Sequence, residues 1–93
     1  MARVELSKAA LEDLDRLTRT HSLPGDTRER LKRSIAPLMR LPLLGAVLQG
    51  RWSGFRFILG PWRWMVAVYV YLEADDRIVI VTIQDGRSSR FAS

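Results

Sequence analysis

The chain has 93 residues, 47% of them apolar, and a net charge of +5 from 15 Lys and Arg against 10 Asp and Glu. That describes one small folded domain over residues 1–93, too short for two domains and too apolar for disorder. With no cysteine and a single histidine, disulfides, thiolate chemistry and histidine metal clusters are excluded, and neither a metal nor a cofactor is expected.

The opening Met1-Ala2-Arg3-Val4-Glu5-Leu6 turns polar at once and lacks the apolar segment of a signal peptide. The longest apolar run, Trp64 to Leu72, falls far short of the ~20 residues that span a bilayer. A cytoplasmic protein with no membrane partner is expected. Arginine supplies most of the positive charge, and a positive balance favours nucleic acid or acidic protein segments as partners.

Arg3-Val4-Glu5-Leu6 alternates polar and apolar, as a short strand does. Ser7 then caps a helix with Ala10, Leu11, Leu14 and Leu17 on one face. Glu12, Asp13 and Asp15 are expected near its positive end, and Arg16 and Arg19 near its negative end. Leu23-Pro24-Gly25 stops it by about Thr20. Asp26-Thr27-Arg28-Glu29 reads as a capping box for a second helix with Leu31, Ile35, Leu38 and Met39 inward. Arg28, Arg30, Lys32 and Arg33 take its wet face, and Pro37 begins its end. The two helices make a hairpin.

From Gly45 the period changes to two. Phe55, Phe57 and Leu59 alternate with Arg56 and Ile58. After Gly60-Pro61, Trp64, Val66, Val68 and Val70 alternate with Met65, Ala67, Tyr69 and Tyr71. Glu73-Ala74-Asp75-Asp76 is a turn, and Ile78 to Ile83 reads as a central strand covered on both faces. The expected fold is α+β: a short N-terminal strand, a helical hairpin, then a three-stranded antiparallel meander with the helices on one face.

This order resembles the RelE/ParE toxins of bacterial type II toxin–antitoxin systems. The resemblance runs from Arg3 to about Arg90. It is carried by Leu48-x-Gly50, Gly54-x-Arg56, Gly60-Pro61-Trp62-Arg63 and Ile83-Gln84-Asp85-Gly86-Arg87. It implies a cognate antitoxin as partner and a hetero-oligomeric inhibited state. It also implies one of two activities: ribosome-dependent cleavage of mRNA, or inhibition of DNA gyrase without nuclease chemistry. A non-catalytic antitoxin-binding module is a third reading.

By the resemblance, Arg63 matches the arginine that RelE-like nucleases place at the scissile phosphate. Arg87 matches a second basic or histidine position, and Arg56 a basic residue of the second strand. These three are the catalytic candidates. Trp62, Arg51, Arg33 and Arg90 are candidates for nucleic-acid or partner binding. Two positions depart from the pattern: Ile58 stands where a further cation is expected, and Phe91 where the tail carries a tyrosine. Arginine stabilises charge but shuttles protons poorly, so an acid/base pair is missing from these candidates. Tyr69 or Tyr71 is the available substitute hydroxyl, Asp85 is expected to orient Arg87, and His21 reads as a surface residue of the interhelical turn.

Overall fold

A computed structural model describes residues 1–87; Arg90, a binding candidate, and Phe91, at the tail-tyrosine position, lie outside the described residues. Strand β1 (Arg3–Leu6) leads into helices α1 (Lys8–Thr20) and α2 (Thr27–Ile35), the latter followed by a 3-10 turn over Ala36–Met39. Strands β2 (Ala46–Val47), β3 (Arg56–Leu59), β4 (Met65–Leu72) and β5 (Arg77–Asp85) complete a five-stranded sheet of order β1-β5-β4-β3-β2. The expected three-stranded meander is β3-β4-β5, antiparallel throughout. Two strands extend it. β1 joins β5 in parallel, and Ala46–Val47 adds a two-residue edge beside β3 that no periodicity announced.

The core lies between the helices and one sheet face. Leu14, Leu17, Leu31, Ile35 and Leu38 meet Met65, Ala67, Tyr69, Ile78, Ile80 and Ile83. Each such buried aliphatic side chain contributes about 1.5–3 kcal/mol. β5 is an interior strand, as its β-branched run predicts. It is not covered equally on both faces, because both helices sit on one side and leave Val79 and Val81 half-buried on the other.

Local signals held in part. Ser7 caps α1, accepting from the Ala10 N–H at 3.0 Å. The first turn of α1 holds no acidic residue, and Asp13 serves the sheet instead. β1 pairs only Arg77 to Ile80 of β5, which leaves the far half of that edge open. Asp13 fills the gap, accepting from the Ile83 N–H at 3.2 Å and from the Thr82 hydroxyl. At α2 the capping box does not form. The Asp26 carboxylate takes Arg30 Nε instead, at 3.0 Å to each oxygen, and Thr27 donates to the Pro24 carbonyl at 2.6 Å.

The loop before β2 is fixed by Tyr69, whose hydroxyl donates to the Pro42 carbonyl at 2.8 Å and accepts from the Gly45 N–H at 2.9 Å. Gly45 must be glycine, since a Cβ would lie 2.6 Å from the Phe57 carbonyl oxygen and 2.7 Å from the Tyr69 ring. Burial, more than any other influence, pushes the Tyr69 phenol above its ordinary range. Tyr69→Phe is expected to destabilise the fold by about 1–3 kcal/mol, because it orphans a buried N–H and a carbonyl together; a urea titration at neutral pH measures it.

Candidate functional site

The register of β4 and β5 places Met65 opposite Asp85, and the Gly86 N–H closes the pair onto the Trp64 carbonyl at 2.6 Å. The end of β5 therefore lies beside the turn that precedes β4. The end of α1 arrives at the same place, because α1 runs along the part of β5 that β1 leaves open, with Asp13 at Ile83 and His21 at Asp85.

A Schellman turn delivers His21 there. The Leu23 N–H donates to the Thr18 carbonyl at 2.9 Å and the Ser22 N–H to the Arg19 carbonyl at 3.3 Å, which is the hydrogen-bond pattern of that motif. Ser22 occupies its left-handed position at φ 50°, and Leu23 packs against the core. His21 is thus the last helical cap, its ring stacked on Trp64 with centroids 4.4 Å apart and planes 16° apart. Trp64 in turn stacks near Trp62 at 6.3 Å. Two cations lie over this aromatic row: Arg87 is 5.2 Å from the Trp64 ring and Arg30 is 5.9 Å from that of Trp62.

The polar part of the site is a chain of short contacts. Arg87 grips Asp85 twice, Nε to Oδ1 and an Nη2 to Oδ2, both at 3.0 Å, and its backbone N–H adds a third bond at 2.9 Å. His21 Nε2 is 3.2 Å from Asp85 Oδ2 and 3.4 Å from Arg87 Nη2. His21 Nδ1 is 3.0 Å from the Thr20 hydroxyl. The Arg87 guanidinium, above all, holds the Asp85 carboxyl down to about 2, against a smaller upward push from burial; His21 adds a lesser downward pull. Arg87 is raised in return by Asp85.

The predicted residues divide. Arg87 is in the cluster, oriented by Asp85 as expected. Trp62 is at its rim, and Arg63 stands exposed in the turn between the two tryptophans, with no hydrogen bond or ion pair among the described residues. Arg56 is elsewhere. It pairs with Tyr69, four residues along β4 from Met65, about 13 Å at strand rise. There its Nη1 donates to the carbonyls of Gly45 at 2.9 Å and Leu43 at 3.2 Å. Ile58 faces Ala67 and packs on the core, so its apolar character is structural. Arg33 is exposed in the last turn of α2. Arg51 is exposed in the 3-10 turn Gly50–Trp52, beside Trp52, Asp13 and Gln84. Neither tyrosine reaches the cluster: Tyr69 is tied to Pro42 and Gly45, and Tyr71 donates to Asp76 at 2.8 Å.

His21 is the residue that reading the sequence undervalued. Its signal was positional: a helix-capping histidine in a chain whose last strand ends at Asp85, just before Gly86 and Arg87. Together these side chains offer a cation for phosphate, aromatic faces for bases and an imidazole for proton movement.

No protein-family model matches the chain, and no curated protein sequence matches it. Solved structures do match in fold. The ParDE toxin–antitoxin system of P. aeruginosa is 19% identical with a TM-score of 0.69, covering 91% of this chain and 96% of that one. The RelBE2 toxin–antitoxin complex of Mycobacterium tuberculosis is 20% identical with a TM-score of 0.66, covering 90% and 96%. The isolated RelE toxin of E. coli is 17% identical with a TM-score of 0.65, covering 99% and 93%. The chain has the RelE/ParE toxin fold.

Two measurements test this geometry. Ser22→Gly should stabilise the protein by about 1 kcal/mol, by relieving the left-handed backbone of a residue with a Cβ; the urea midpoint reports it. Asp85 has a lowered folded-state pKa, so its stabilising contribution is complete above its unfolded pKa near 4 and is lost as pH falls through about 2. The stability difference between wild type and Asp85→Asn, read from urea midpoints, should therefore close between about pH 4 and pH 2.

Proposed function

We propose that this protein is the toxin of a type II toxin–antitoxin pair and that it acts on RNA, cleaving mRNA on the ribosome. The observation that carries the reading is the meeting of Arg87, Asp85 and His21 on the Trp62–Trp64 stack, with Arg63 in the same turn and unpaired among the described residues. RNA cleavage by its own 2′-hydroxyl needs a cation for the charge that develops on phosphate, and a group that moves protons near neutral pH. Arg87 and Arg63 suit the first need, and His21 suits the second. The antitoxin partner is supported by the ParDE and RelBE2 structures, both toxin–antitoxin assemblies. Exposed Leu41, Leu43, Leu44 and Val47 give such a partner apolar surface to cover.

A second reading is inhibition of DNA gyrase without nuclease chemistry. It is favoured by Ile58, which offers the core a side chain where a nuclease would offer a cation, and by the tyrosine hydroxyls, both engaged away from the site.

Expression of the chain without a partner protein should arrest growth and leave mRNA cut sites within ribosome footprints. Arg87→Ala and Arg63→Ala should each relieve the arrest, by 10²-fold or more in cleavage rate on an order-of-magnitude basis. Arrest with gyrase–DNA adducts and intact mRNA would select the second reading, and unimpaired growth with wild type would reject both.

A further inference from the structure

Arg87 is the best-placed phosphate ligand of the site, yet it is already occupied. Asp85 takes its Nε, an Nη and its backbone N–H, and Arg87 in return holds the Asp85 carboxylate charged far below neutral pH. A phosphodiester must displace an anion that is covalently nearby and always present. The group that can release Arg87 is His21, whose Nε2 lies 3.2 Å from the same carboxylate oxygen.

We infer that Arg87, His21 and Asp85 form a proton-gated phosphodiester site, in which RNA backbone displaces Asp85 from Arg87 as His21 takes up a proton and becomes the replacement cation for Asp85. This inference rests on the reading of the cluster as an RNA-backbone site and adds its regulation.

The surroundings of the imidazole favour the exchange. With its hydrogen on Nε2, the neutral ring donates to Asp85, and Nδ1 accepts from the Thr20 hydroxyl. On protonation Nδ1 donates to the Thr20 oxygen instead, and Nε2–H to Asp85 becomes charge-assisted. Among the described residues, the charged groups against the ring are Asp85 from β5 and Arg87 just beyond it. Trp64 covers one ring face, and the negative end of α1, which His21 caps, favours a cation there. In the unliganded protein Arg87, 3.4 Å from Nε2, opposes that cation. A phosphodiester on Arg87 neutralises the opposition, so ligand and proton bind with mutual support, as linkage requires.

The chain's single histidine makes this measurable. A phosphodiester does not titrate between pH 6 and 8, so an uncleavable 2′-O-methyl RNA tetranucleotide is the probe, at fixed ionic strength. Its affinity should rise about tenfold from pH 8 to pH 6, the factor for one unit of linked titration. Calorimetry in buffers of different ionisation heat should show net proton uptake near pH 7. His21→Gln should lose both the pH dependence and the proton uptake. Asp85→Asn should bind more tightly than wild type at pH 8 and show a shallower slope, because Arg87 is free from the outset. Binding of equal strength at pH 6 and 8 by wild type, or a slope retained in His21→Gln, would overturn the gate while leaving the RNA site standing. Absence of binding at either pH would overturn both, and the growth assay reports separately on the toxin reading.

Discussion

The register between β4 and β5 is the constraint on which the rest of this structure hangs. One irregularity sets it: Val68 pairs with Thr82 while Tyr69 pairs with Ile80, so Val81 is an extra residue in β5. A bulge of this kind changes which residues share a face on either side of it. Continuing the Tyr69–Ile80 register without it would bring Thr82 opposite Ala67, on the helix face, and Met65 opposite Gln84. The bulge instead keeps Ile83 and Ile80 both in the core and slides Asp85 to Met65. Core packing and site assembly are therefore two results of one inserted residue.

The second requirement is a finished edge. β1 is too short to pair with all of β5, and an open interior edge would leave N–H groups unpaired at a cost. Ser7, the cap of α1, and Asp13 within the helix complete it: the Ser7 hydroxyl donates to the Val81 carbonyl at 3.1 Å and Asp13 accepts at Ile83. Their satisfaction fixes the line of α1 along β5. That line, and a Schellman turn at its end, decide where His21 lies. A histidine that does no packing in the helix interior is thus aimed by hydrogen bonds made two turns earlier.

The order of elements was legible in the sequence because each announced itself by period, cap or breaker: 3.6 in Leu14 and Leu17, two in Met65 to Tyr71, the stop at Leu23-Pro24-Gly25. What escaped has physical reasons. Ala46–Val47 is too short to show alternation. Asp26 had two uses open to it, capping the helix or pairing with Arg30 one turn on, and the ion pair won. Arg56 alternates as a solvent-facing residue would, but it opposes Tyr69 on the helix side and its guanidinium is drawn to loop carbonyls. His21 and Asp85 are 64 residues apart in sequence, and nothing local in either segment signals their contact. The fold was carried by local patterns, whereas the site is a product of register.

The three arginines that sequence motifs placed in one category differ in what the fold already asks of them. Arg56 is bound to carbonyls that would lose a donor if it moved, so its charge is committed to the loop before β2. Arg87 is bound to a carboxylate that can be satisfied by another cation, so its charge is reserved and releasable. Arg63 is bound to nothing among the described residues, so it is available to the first anion that arrives. On the RNA reading proposed above, an incoming backbone meets in Arg63 a cation unpaired among the described residues, and in Arg87 a guarded one. Long-range attraction to a basic surface is unselective, and a guarded arginine adds selection where attraction alone supplies none. A mobile anion that merely neutralises Arg63 leaves the Asp85–Arg87 pair intact. On the RNA reading proposed above, a ligand opens that pair only by offering Arg87 more than the three hydrogen bonds Asp85 gives it.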